Sequence, residues 1–123
     1  WIYVLDHCEA LDTVWKKGRE WEIYNIGTGE QISNKVMTLA ILRILGKPES
    51  LVDFVKDRPG HDRRYAVDAT KIRSLGWHPR HSFVDALKET VEWYQGHEAW
   101  WQRLKKKRKD FQEYYQIQYG GRG

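Results

Sequence analysis

Apolar residues cluster at Trp1–Leu5, Trp21–Ile26, Leu51–Val55 and Tyr65–Val67, in runs rich in aromatic and β-branched side chains that predict four short strands. Between them the period changes to that of a helix. Cys8, Leu11, Val14 and Trp15 recur at helical spacing, so a helix is expected over His7–Lys17, with Asp6 and Glu9 at the spacing of a capping box and Gly18 as its stop. Ser33 or Asn34 can cap the next helix, in which Val36, Met37, Leu39, Ala40, Ile41, Leu42, Ile44 and Leu45 leave little polar face. Gly46 and Pro48 then end it. A helix so apolar needs cover on several sides. Asp68 is placed to cap a short helix over Thr70–Leu75, which Gly76 stops. Ser82 and Asp85 repeat the capping-box spacing, and Phe83, Leu87, Val91 and Tyr94 share one face of a helix expected to run to about Leu104.

The 123 residues are one domain's worth, and 41% hydrophobic with 31% charged residues describes a globular chain. It opens on Trp1 inside an apolar run, which reads as a fragment of something longer. No apolar run approaches the ~20 residues of a membrane span and no signal-peptide pattern is visible, so a cytoplasmic location is expected and no membrane partner. Cys8 stands alone, which excludes an internal disulfide and a cysteine metal site and suits a packed helix residue. His7, beside a predicted helix start, is assigned no role.

Net charge is +4 and the pI about 9.2, but the excess is concentrated in Arg103, Lys105, Lys106, Lys107, Arg108 and Lys109. Residues 1–104 are therefore read as the folded portion and 105–123 as a basic and aromatic tail, with Phe111, Tyr114, Tyr115 and Tyr119 following the charges. Basic and aromatic residues together can bind single-stranded nucleic acid. Without a nucleic-acid-binding fold signature beside them, a solvated helix end and a tail packed back on the domain is the preferred reading. The Gly120–Gly123 end should fray.

The chemistry concentrates in Asp57-Arg58-Pro59-Gly60-His61-Asp62-Arg63-Arg64-Tyr65. Pro59 fixes its own φ and Gly60 supplies φ > 0, which suits the centre of a type II turn. Arg58 and Arg64 offer planar forks that match phosphate oxygens, and His61 adds a donor or acceptor. Two readings stand on composition alone: a site for a diphosphate, or an exposed loop whose arginines pair with Asp57, Asp62 or nearby acids. Gly27-Thr28-Gly29 is not a dinucleotide fingerprint, because the third glycine would fall at Ile32.

The order of residues from Asp57 through Asp68, Asp-Arg-Pro-Gly-His-Asp-Arg-Arg-Tyr-Ala-Val-Asp, resembles the substrate-binding segment of dTDP-glucose 4,6-dehydratases. These are NAD-dependent extended short-chain dehydrogenase/reductase enzymes that form dTDP-4-keto-6-deoxyglucose. The resemblance extends through Trp1–His7, Tyr24–Gly27, Leu75-Gly76-Trp77 and Thr90–Tyr94, and matches the C-terminal portion of such an enzyme. It implies an α/β substrate-binding portion without its N-terminal Rossmann portion, and a homodimer for the full-length protein. It also implies that Arg58 holds the diphosphate, that Asp57, Pro59, Gly60 and His61 shape the nucleotide pocket, and that Asn34 contacts the nucleotide portion of a dTDP-sugar. NAD, a tyrosine base beside a lysine and an acidic pair complete the family's chemistry. No Tyr-x-x-x-Lys and no phosphate-binding glycine loop occurs here, so no catalytic residue is expected in the chain and NAD is expected to be bound upstream. Alone, such a chain should be inactive and prone to associate through its apolar helix. The alternative is a non-enzymatic binding module that uses the basic tail to engage nucleic acid or a protein partner.

Overall fold

A computed structural model describes residues 1–55, 57, 59–107 and 113, with 106 and 107 described for their backbone alone. Among the described residues the chain forms five α-helices and one 3-10 helix: α1 (Val4–Lys17), α2 (Asn34–Ile44), the 3-10 helix Glu49–Leu51, α3 (Thr70–Arg73), α4 (Phe83–Gly96) and α5 (Glu98–Lys107). The chain divides into two compact units, Trp1–Glu89 and Thr90–Gly123.

No strand is present among the described residues, which corrects the four expected at Trp1–Leu5, Trp21–Ile26, Leu51–Val55 and Tyr65–Val67. The reason is pairing. An apolar, β-branched run becomes a strand only when a neighbouring strand satisfies its backbone groups, and no such ladder forms here. Residues 22–28 and 64–69 instead run as irregular backbone. The helical part of the expectation is present, and the α/β layering is not.

The start of α1 is a second correction. Asp6 does not cap the helix, because its carboxylate is engaged elsewhere, and the helix begins at Val4 with Tyr3 as an N-cap that makes no side-chain bond. At the other end the Gly18 N–H donates to Val14 O, as the predicted stop requires. The α2 helix is capped by Ser33, whose hydroxyl accepts from Val36 N at 3.3 Å. Of its apolar residues only Met37 and Leu42 are buried, while Val36 is exposed. Asp68 Oδ1 accepts from Thr70 N at 2.8 Å and so starts α3, and Gly76 at φ 93 ends the turn that follows it.

Ser82 and Asp85 form the predicted cap of α4, with Ser82 Oγ 2.6 Å from Asp85 Oδ2 and accepting from Asp85 N at 3.2 Å. A single helix to Leu104 is not observed. The run is interrupted at His97, whose carbonyl accepts from both Trp100 N and Trp101 N, and α5 restarts at Glu98. In this second unit the His97 ring stacks on Trp93 at 4.3 Å between centroids, and Trp101 Nε1 donates to Tyr94 O. Cation–π contact from Lys105 covers Trp101. Most of the predicted tail lies outside the described residues.

The core of the first unit is small. Ala10 of α1, Ala69, Ile72 of α3 and Trp77 are buried together, with Ile2, Val14, Tyr24 and Ile26 packed around them. Alanine at position 10 lets α1 approach Ile72 closely, and Trp77 fills the remaining space with its Nε1 donating to Asp6 O at 3.2 Å. These contacts set α3, and the loops on either side of it, against α1.

Candidate functional site

The loop that follows the 3-10 helix adopts the turn its residues dictate. Pro59 and Gly60 form a turn in which Gly60 takes φ 71, the left-handed conformation required of the second central residue of a type II turn. This turn lies between Asp57 and His61, whose Oδ1 and Nδ1 are 2.5 Å apart. A carboxylate can only accept, so the imidazole carries a proton on Nδ1 and turns Nε2 away from Asp57. His61 is half-buried, and the Asp57 carboxylate is exposed. The carboxylate thereby fixes the orientation of the ring.

Arg58, to which the resemblance assigns the diphosphate, lies outside the described residues. Asn34 is the first residue of α2 and is exposed, with its carbonyl accepting from Thr38 Oγ1 at 2.8 Å. Its side chain is not the cap, since Ser33 has that role, so the Asn34 amide is not consumed by the helix. The structure thus joins Asp57, Pro59, Gly60 and His61 in one turn, and puts Asn34 on a separate element.

Sequence reading missed the surface that continues from this loop. Asp62, Arg64 and Tyr65 share a groove of about 470 Å³ with Trp1, Thr28 and Gln31. Three stretches far apart in sequence form its walls, one of them the Gly27–Gln31 loop that leads directly to Asn34. Two features of that loop could have raised it from the sequence: paired glycines without the third, and a Ser-Asn helix start five residues on. Gly27 and Gly29 are used for close packing, since a Cβ at Gly27 would lie 2.7 Å from Val67 Cγ2 and one at Gly29 would lie 3.1 Å from Arg73 Nη2. A turn packed so closely against this chain's own side chains is not a cradle for a dinucleotide. No group of three or more His, Cys, Asp or Glu placed to hold a metal ion occurs among the described residues.

An ionisable pair with a buried carboxylate lies elsewhere. Asp6 is 1% exposed and accepts from Arg80 N, His81 N and His81 Nδ1. Burial alone would raise its pKa, but the hydrogen bonds from His81 and Arg80 outweigh it and the net shift is downward. His81 moves upward, chiefly through its bond to Asp6 and against the effect of its own burial. Tyr3 meets the His81 ring edge-on and donates to Glu89 Oε2 at 2.7 Å, which raises the Tyr3 pKa. Because the Asp6 carboxylate ties α1 to the backbone of the 80–81 segment, this cluster is read as structural.

Comparison with known proteins defines the class. The family model described as GDP-mannose 4,6 dehydratase matches residues 1–90, and the chain belongs to this family. Within it, the chain is similar to dTDP-glucose 4,6-dehydratase of Streptomyces niveus, 48% identical over 106 residues that cover 85% of this chain and 32% of that protein. It is also similar to the low-salt glycan biosynthesis protein Agl12 of Haloferax volcanii, at 51% identity over 96 residues covering 78% of this chain and 31% of that one. Among solved structures, dTDP-glucose 4,6-dehydratase from Streptomyces venezuelae with NAD and TYD bound superposes with a TM-score of 0.79 at 44% identity, over 85% of this chain and 33% of that one. The chain therefore spans about a third of the length of the relatives it matches.

Proposed function

We propose that this chain is the nucleotide-sugar-binding part of a dTDP-glucose 4,6-dehydratase, an NAD-dependent lyase that forms dTDP-4-keto-6-deoxyglucose. The observation that carries the reading is the 44% identity and 0.79 TM-score to a dTDP-glucose 4,6-dehydratase with NAD and TYD bound. In this reading Arg58 grips the diphosphate with its planar fork, and Asn34 contacts the nucleotide portion. Gly60 brings the backbone close to the ligand, and His61, oriented by Asp57, presents Nε2 to it. NAD supplies hydride transfer in such an enzyme. The packed Gly27–Gly29 turn does not fit a dinucleotide. In this reading NAD is held by the portion of such an enzyme outside these 123 residues, which also carries the catalytic groups and forms the cytoplasmic homodimer.

The reading is tested by titrating the chain calorimetrically with dTDP and, as a comparator, GDP. Binding is expected to favour dTDP and to weaken by about tenfold or more in Arg58→Ala, the scale of a charge-assisted hydrogen-bonded pair. Equal affinity for both nucleotides, or unchanged binding in Arg58→Ala, would refute it.

A further inference from the structure

The short helix α3 holds two neighbouring stretches of backbone with two different side chains. Lys71 Nζ donates to Ile23 O at 2.8 Å and pairs with Glu22. Two residues on, Arg73 Nη2 donates to Thr28 O at 2.7 Å. The second tie carries a cost that the first does not, because Arg73 Nε is buried without a hydrogen-bond partner among the described residues. A buried donor left unsatisfied is uncommon in folded proteins, and calls for a reason in the geometry of the rest of the group.

That reason is the shape of the Gly27–Gly29 turn. Gly29 has φ 87, and a side chain there would meet Arg73 Nη2, while a side chain at Gly27 would meet Val67. The guanidinium thus fills the space that glycine leaves open, and the turn is clasped between Val67 and Arg73. Beyond it the loop has no slack. Thr28 Oγ1 donates to Trp1 O and accepts from Glu30 N, and Trp1 Nε1 donates to Ile32 O at 3.0 Å. Ser33 then caps α2, and Asn34 is its first residue. From Arg73 to Asn34 the connection is a continuous run of packed or hydrogen-bonded groups.

We infer that Arg73 is a positioning residue of the nucleotide-sugar site: through Thr28 it sets where the Gly27–Ile32 loop delivers Asn34 to the ligand's nucleotide portion. This rests on the proposed function for its ligand, but not for its geometry. Lys71 serves as the matched control, because it leaves the same helix for a different segment.

The experiment compares wild type, Arg73→Gln, Arg73→Lys and Lys71→Gln by amide NMR and by dTDP titration. Without nucleotide, Arg73→Gln should shift the amide signals of Thr28, Gly29 and Asn34, whereas Lys71→Gln should shift those of Glu22 to Tyr24 and leave Asn34 in place. With dTDP, Arg73→Gln should weaken binding about tenfold, Arg73→Lys should restore part of it, and Lys71→Gln should bind as wild type. An unmoved Asn34 signal in Arg73→Gln overturns the inference, as does equal weakening by Arg73→Gln and Lys71→Gln at matched loss of thermal stability. Failure of wild type to bind dTDP overturns the nucleotide-sugar reading instead, and the ligand-free spectra still decide the role of Arg73.

Discussion

His81 Nδ1 lies 2.8 Å from Oδ1 of the buried Asp6, and the same carboxylate also accepts the backbone N–H groups of Arg80 and His81. A carboxylate with three donors is well compensated for leaving water, and each partner favours the charged form of the other.

Stability should therefore peak on the acid side of neutrality. The raised pKa of His81 contributes stability that is fully present below its unfolded value of about 6.5 and is lost as pH rises through the folded value. The lowered pKa of Asp6 contributes stability that is present above its unfolded value of about 3.9 and is lost as pH falls through the folded value. Thermal unfolding followed by circular dichroism should show a plateau between roughly pH 4 and 6.5. His81→Gln should flatten the alkaline decline, and Asp6→Ala should cost about 3 kcal/mol at pH 6 by stranding its donors. A midpoint that rises steadily from pH 6 to 8 would contradict this.

Ile72 is fully buried between Ala10, Ala69 and Trp77. Ile72→Ala should destabilise the first unit by about 3 kcal/mol, and Ile72→Val by about 1 kcal/mol, because removing methyl groups from so small a core leaves a cavity. Chemical denaturation of the two variants measures the ratio, and near-equal losses would show that the site collapses around either residue.

Gly60 has φ 71, yet nothing lies within 4 Å of the position a Cβ would take. Substitution there tests backbone conformation without steric clash. Gly60→Val should cost about 1 to 2 kcal/mol and weaken dTDP binding, while Gly60→Asn, which tolerates the left-handed region, should retain most of both. Calorimetric titration of the two variants separates them.

Trp15, Trp21 and Ile23 are 88%, 100% and 83% exposed, and Trp15 lines a broad groove between α1 and the 18–26 segment. Apolar surface of this kind associates. Sedimentation velocity of the chain should show concentration-dependent self-association, reduced in Trp21→Asn/Ile23→Lys. Asparagine is the suitable replacement at position 21 because the backbone there has φ 64.

Local signals in the sequence translated well into structure. Ser33, Asp68, Ser82 with Asp85, and Gly46, Gly60 and Gly76 each act within a few residues of themselves, and each stands where its chemistry placed it. The strands did not, because a run such as Trp21–Ile26 states a preference that only a neighbouring strand can realise. Asp6 shows the same limit. Its spacing to Glu9 suggested a cap, but its partners are some 75 positions away and no local pattern announces them. The candidate site divides the same way: the Pro59–Gly60 turn was legible, whereas the Arg73–Thr28 tie and the groove it borders depend on contacts between distant segments.

The distance in sequence between Asp6 and its donors also bears on how the chain is made. Helix α1 is synthesised before its partners, so the Asp6 carboxylate in its first turn is uncompensated until Arg80 and His81 have been added. At typical elongation rates of 5–20 residues per second, that interval is roughly 4 to 15 s. For most of that time α1 also lacks Ile72 to pack on. Docking of the first unit thus waits for the 77–82 turn, and until then the uncovered face of α1 is a substrate for chaperones rather than a folded surface.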